Sequence, residues 1–246
     1  PLGQCIEGTA CGFATVVAGA GGSGNAEDTE LTTFSVTSDG SSFVVASGER
    51  NEIQSVSMAA DLAPRGGDVY ILDSVGASTT SSGTQVSQLQ ARVTSTDGVN
   101  IIDAADFWLN ANVVAGAVDA QSGYFAYGTA TTLADLDQLR NLNTSVNFSG
   151  SMLAADGTTA SITLNYGTAS TWTGNWSGNY GFDAGGVVAG ANFVSEPSQF
   201  SSNVAGGYVQ GVTLGPLGDQ SAAVAIDVNL NGIGNIKDVG LLQQTP

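Results

Sequence analysis

In 246 residues the chain carries 22 acidic side chains against five basic ones, a net charge of −17. Such a surface repels nucleic acid and anionic lipid headgroups. Charged residues make up 11% and hydrophobic ones 42%, which leaves material for a sizeable core and excludes a chain disordered throughout.

Residues 1–28 read as an N-terminal arm. The chain opens on Pro1 without a leader-like segment, which fits an exported protein whose signal peptide has been removed. Cys5 and Cys11 are its two cysteines. A disulfide between them suits an oxidising compartment and fastens the arm. Two free thiols are the alternative, and a zinc site would need four nitrogen or sulfur ligands. Gly12, Phe13, Val16 and Val17 mark a stretch that could be donated as a strand to a neighbouring subunit, or folded back on the chain's own sheet. Residues 20–28 read as a flexible linker.

Residues 29–122 read as a β-rich region. Runs rich in Val, Ile, Thr, Phe and Tyr at 31–36, 43–46, 53–59, 68–72, 85–93 and 107–114 alternate with Gly, Ser, Asp and Asn clusters, as in an all-β sandwich or barrel. Ser38-Asp39-Gly40 supplies a hairpin turn between the first two. Residues 123–246 form a third, barrel-like region with strands at 123–127, 145–149, 160–166, 170–176, 186–193, 207–214 and 222–230. One segment departs from the pattern. Leu133, Leu136 and Leu139 recur at three-residue spacing, with Thr132 and Asp135 placed as a capping box, and they predict a short helix near 131–142. It either crosses between two sets of strands or plugs one end of a single barrel. The fold class is all-β, an antiparallel barrel or sandwich with one short helix.

The sequence offers little to an enzyme. It contains no histidine, which removes Ser-His-Asp and Cys-His catalysis. Lys237 is the sole lysine, with nothing evident beside it to tune it as a nucleophile. Asp103 with Asp106, or Asp135 with Asp137, could in principle serve as a carboxylate pair across a sugar cleft. In so acidic a chain they read as solvated faces or a helix N-terminus. Residues 19–24 are glycine-rich, but no helix or lysine follows to make a phosphate loop. No apolar run approaches the ~20 residues of a membrane-spanning helix.

Two readings compete at the C-terminus. Asp227, Asn229, Asn231, Asn235 and Asp238, with Gly232 at the sixth position, follow the calcium-loop template. The segment resembles one repeat of the cellulosomal dockerin module. That resemblance implies Asp227, Asn229, Asn231 and Asp238 as ligands and the Ile233 carbonyl as a fifth. Against it, Val224, Ile226, Val228 and Leu230 alternate strictly, and Asn231-Gly232 is a strong hairpin turn with Ile236 leading the return strand. The alternation favours the hairpin, with no cofactor and calcium as the alternative.

Trp172, Trp176 and Tyr180 lie at four-residue spacing in a context of Thr, Gly, Asn and Ser that disfavours a helix. On a strand the two tryptophans share a face. Exposed, they could contact a ligand or partner. Buried, they would pack a barrel end. The order Gly123-Tyr124-Phe125-Ala126-Tyr127-Gly128, a short Leu-Ala-Asp-Leu helix, Val146-Asn147-Phe148-Ser149-Gly150, and later Trp172-Thr173-Gly174-Asn175-Trp176 is similar to the C-terminal barrel of transferrin-binding-protein-like surface proteins. It also resembles the barrel of some FecR-domain proteins. The resemblance spans Gly123 to Leu230 and implies an exported, eight-stranded up-and-down barrel used for display or for binding a partner. The absent histidine and the absent lipidated N-terminal cysteine depart from that family's haem ligation and anchoring.

These features together point to a bacterial, extracellular or cell-surface protein without catalytic activity. As a structural subunit it would self-associate by strand addition into a filament or surface layer, or act as an adhesin. As a binding module it would capture a protein, sugar or small ligand at barrel loops or a barrel mouth.

Overall fold

The structure, a computed structural model, describes residues 2–17, 29–36, 42–45, 53–64, 69–80, 83–95, 113–118, 123–155 and 157–246. The linker at 20–28, the turn at 38–40 and the Asp103/Asp106 pair lie outside those residues.

Two closed antiparallel barrels follow one another along the chain, each of eight strands paired in sequence order. The first comprises β1 (Ala10–Val17), β2 (Thr29–Val36), β3 (Ser42–Val45) and β4 (Ile53–Pro64), then β5 (Val69–Thr80), β6 (Gly83–Ser95), β7 (Val113–Val118) and β8 (Gly123–Thr129). It closes where β1 meets β8, from Ala10 opposite Thr129 to Ala14 opposite Phe125. Phe13, Leu31 and Ala126 are fully buried.

This topology moves one boundary. The run at 123–127, expected to open the third region, hydrogen-bonds to β7 and β1 and completes the first barrel. The second compact unit takes up the chain at Ala130. Gly12, Phe13, Val16 and Val17 belong to β1, which has β2 along one edge and β8 along part of the other, the folded-back alternative of the two; donating this strand would require breaking those ladders.

The short helix α1 (Leu133–Leu142) forms where the leucine spacing places it. Thr132 Oγ1 accepts the Asp135 amide at 3.3 Å, satisfying one of the donors that a helix N-terminus leaves unpaired. Asn143 ends it in the left-handed conformation, φ 50°, which asparagine tolerates. Leu136 and Leu139 are buried, while Leu133 and Leu142 are exposed. Asp135 and Asp137 sit in its first half, Asp137 paired with Arg140 at 2.8 Å.

The second barrel comprises β9 (Ser145–Ser151), β10 (Thr159–Asn165), β11 (Thr171–Ser177) and β12 (Phe182–Ala189), then β13 (Asn192–Ser195), β14 (Val204–Leu214), β15 (Ser221–Leu230) and β16 (Gly234–Thr245). The run at 186–193 resolves into two strands, since Gly190 turns the chain with φ 62°. On β9 and β10 the period-2 pattern is plain. Val146, Phe148, Ala160, Ile162 and Leu164 are buried, and the Ser, Thr and Asn residues between them face outward or are half-buried. Alternation of this kind sets the register, because a slip of one residue would expose the whole apolar set. β15 is buried on both faces from Ser221 to Ile226, and accordingly reads as a near-continuous apolar run. β16 closes the barrel against β9 through Gln243–Ser149, Gln244–Phe148 and Thr245–Asn147.

Candidate functional site: the filled interior of the second barrel

The residues singled out as contacts for a ligand meet inside this barrel instead of on its surface. Trp172 and Trp176 are each 1% exposed and Tyr180 4%. Both tryptophans point inward from β11 because two residues separate neighbours on one strand face. Gly174 lies between them, and a Cβ there would approach both indoles at 3.0–3.1 Å, so glycine is what lets two indoles share one strand face. Trp172 Nε1 donates to the Val194 carbonyl at 2.9 Å, and its ring tilts against Phe193 with centroids 5.2 Å apart. Trp176 stacks on Phe182 at 4.5 Å with planes 4° apart. Both indoles are packed against phenylalanine rings.

At the end of this aromatic column sits a buried acid. Asp238, 1% exposed, accepts the amides of Ala154 at 2.8 Å, Ala155 at 3.1 Å and Val239 at 2.8 Å. It also accepts the Tyr180 hydroxyl at 3.1 Å. Burial pushes its carboxyl above the ordinary aspartate range, and the amide and phenol hydrogen bonds pull back more weakly. Tyr180 is pushed well up by its own burial and by the neighbouring carboxylate. Two amides of the segment joining β9 to β10 thus end on one side chain of β16. Leu153 N adds a bond to the Val239 carbonyl at 2.9 Å, so Asp238 ties that segment to the barrel end. All the hydrogen-bonding capacity of the acid is directed at the protein, which suits anchoring.

The calcium-loop residues are spread over a hairpin. β15 and β16 pair in register from Ser221–Gln243 to Leu230–Gly234, and Asn231, Gly232 and Ile233 turn the chain between them. Asp227 pairs with Lys237 at 3.4 Å, and Asn229 is exposed. Asn231 donates its backbone amide to Asn203 O at 2.8 Å. Asp238 lies inside the barrel. Strand geometry holds Asp227 and Asp238 on different sides of the sheet, so these side chains do not converge on one ion. Among the described residues no group of three or more His, Cys, Asp or Glu side chains gathers for a metal.

The opposite sort of environment occurs where β14 runs into β15. Gln220, 2% exposed, donates Nε2 to Thr131 Oγ1 at 3.2 Å, and Thr131 donates to the Gly215 carbonyl at 3.1 Å. The Gln220 amide oxygen has no hydrogen-bond partner. Beside it lies an open polar recess of about 270 Å³ bordered by Asp219, Gln243, Gln244 and Thr245. Nearby in the fold, burial raises the Tyr166 phenol to about 12.

The cysteines are joined as Cys5–Cys11, in agreement with the expected cystine loop and with an oxidising environment. Residues 5–8 belong to the same compact unit as the second barrel. Their partner was not legible in the sequence. Asn192, 4% exposed, accepts the Cys5 amide at 2.9 Å and donates to the Cys5 carbonyl at 2.8 Å. Among the described residues no helix is long and apolar enough to cross a membrane. No family model, curated protein or solved structure matches the chain.

Proposed function

We propose that the chain is an extracellular or cell-surface bacterial protein without catalytic activity, a structural subunit of a filament or surface layer, or an adhesin. The observation that supports this reading is the division of labour in the second barrel. Its interior is occupied by packed aromatic and aliphatic side chains, and its outer wall is uncharged over three adjacent strands. β9, β10 and β11, seven residues each, carry no ionisable side chain. Ser145 to Asn165, Thr163 to Asn147 and Asn175 to Asp183 are bonded across the strands at 2.7 Å. In a protein of net charge −17, copies repel one another except where such neutral walls meet. Closed ladders make wall-to-wall contact the route of association in place of strand addition.

A second reading, capture of a small polar ligand, is favoured by the recess beside Gln220, with its unpaired buried carbonyl. Negative-stain electron microscopy with light scattering, with and without calcium, separates the two. Ordered filaments or sheets support the structural reading. A strictly monomeric protein in both conditions overturns it and directs attention to the recess.

A further inference from the structure

We propose that the recess where β14 runs into β15 binds an uncharged polyhydroxyl ligand, a single sugar residue, and that the unpaired carbonyl of Gln220 is its innermost contact. This rests on the ligand-capture reading given above and adds the chemistry of what the recess takes. Gln220 closes the connection from β14 to β15 and carries four polar groups, three of them bonded inside the protein. Its backbone amide donates to Gln244 Oε1 at 3.1 Å, and its backbone carbonyl accepts the Gln244 amide at 3.1 Å. Its side-chain Nε2 donates to Thr131 Oγ1 at 3.2 Å. Thr131 has a single hydroxyl hydrogen, which goes to the Gly215 carbonyl, so towards Gln220 it acts as acceptor. The side-chain amide is thereby held with its nitrogen on Thr131, and its oxygen is the group without a partner. At 2% exposure such a carbonyl carries a free-energy cost that a donor reaching it removes.

The border of the recess can be read in the same way. The Gln220 N–H fixes which end of the Gln244 amide is oxygen, and this leaves the Gln244 NH2 group as a donor. Ser221 Oγ donates to Gln243 Oε1 at 3.0 Å, which leaves the Gln243 NH2 group likewise. Asp219 contributes carboxylate acceptors, and Thr245 a hydroxyl that both donates and accepts. Donors and acceptors are therefore mixed around one small space. An ammonium ion would use the acceptors alone. An anion would use the donors alone, against Asp219 and a net charge of −17. A hydroxyl uses both, and neighbouring hydroxyls on one ring use several at once.

Size and lining narrow the ligand further. The volume of about 270 Å³ lies below the roughly 300–1,000 Å³ of pockets that hold drug-sized molecules, which suits one ring and not a longer chain. Among the described residues no aromatic side chain borders the recess, so a stacking platform is missing and affinity is expected on the order of millimolar. The Gln220 oxygen is shut off from solvent. A ligand reaches it by displacing the side chains of Gln243 and Gln244, which are exposed and turn on the timescale of surface rotamers.

The test is two-dimensional nitrogen–proton NMR of the full chain, titrated separately with the methyl glycosides of glucose, galactose and mannose, with methylammonium chloride and with sodium acetate. Saturable shifts are expected with at least one glycoside at the Gln220 side-chain amide and at the backbone amides of Asp219, Gln220 and Gln244, with Ile162 and Trp172 of the barrel core unmoved. Gln220→Met keeps the length of the side chain and removes the carbonyl, and is expected to weaken binding about 10-fold. Asp219→Asn and Gln244→Ala alter exposed side chains and are expected to weaken it about 3-fold each, which keeps the test open if the buried variant does not fold. Saturable binding of methylammonium or acetate at these residues, with no response to the glycosides, overturns the sugar assignment and leaves ligand capture standing. No response to any of the probes overturns both. Glycoside binding that none of the three variants weakens overturns the assignment to this recess.

Discussion

Gly211 gives the sharpest quantitative test of the second barrel's packing. It lies on β14 opposite Phe193 of β13, and a Cβ built on it falls on three atoms of the Phe193 ring, the farthest of them at 2.5 Å. Carbon atoms in contact prefer about 3.5–4.0 Å, so Gly211→Ala requires the ring to move by roughly 1 Å or more. Phe193 has nowhere to go. It is 1% exposed and its other side meets Trp172. Overpacking of this kind costs about 1–3 kcal/mol, and confinement on both sides puts Gly211→Ala near 3. Phe193→Leu alone is expected to cost about 1.5 kcal/mol through lost contacts. The double variant relieves the clash, so its cost should fall short of the sum by about 1.5–2 kcal/mol. Urea unfolding followed by tryptophan fluorescence measures all three, in a Trp108→Phe background that leaves Trp172 and Trp176 as reporters. A Gly211→Ala variant within about 0.5 kcal/mol of the parent, or strictly additive effects, would refute the packing argument.

Further outcomes follow from features around it. Asp238→Asn should change the pH dependence of stability. The folded-state carboxyl of Asp238 is raised by burial, so its ionisation weighs against the fold. The parent's stability relative to the variant should be greatest below the unfolded aspartate range and fall as pH rises through it to the folded value, read as urea midpoints between about pH 3 and 8. Tyr180→Phe removes one of the four bonds to that carboxylate and should destabilise by about 1–2 kcal/mol, as a bond to a buried acid does. Thr132→Ala should cost about 1 kcal/mol by loss of the cap on α1, seen as faster amide exchange at Asp135 and Leu136 with no change in β10.

What could be read from the residues was local. The helix was legible because three leucines and a capping box are signals within one turn of each other. Most strands were legible by their alternation, and the Asn231-Gly232 hairpin because turn chemistry is short-ranged. Ladder closure was not, since which strand meets which depends on pairings across the whole unit. For this reason β8 reads as the start of a new region, and β1 reads equally as a donated strand or one folded back on its own sheet. The sequence signal of β5 fades after residue 72, because Gly76, Ala77 and Ser78 lack the branched side chains that mark a strand. For the tryptophans a barrel-end core is the better of the two sequence readings, and Gly174 on the same strand face is a further sign of two large rings crowding one another. Asp238 reads as a calcium-loop ligand, and Asn192 carries no signal of its own. Their partners lie 83–84 and 187 residues away, and a polar residue inside an apolar run does not say what will satisfy it.

The ladder of the second barrel has a kinetic consequence. Every strand pair in it but one joins neighbours in the chain, so seven of the eight seams zip up with short loops and little entropy to overcome. The eighth, between β9 and β16, brings together residues about ninety to a hundred positions apart through three residue pairs and one further bridge, Met152 with Gly240. Until it forms, two strand edges stand open at once, and an open edge pairs as readily with another molecule as with its own. The moment of greatest exposure to misassembly is therefore the last step of folding, and the residues from Gly240 to Thr245 decide how long it lasts.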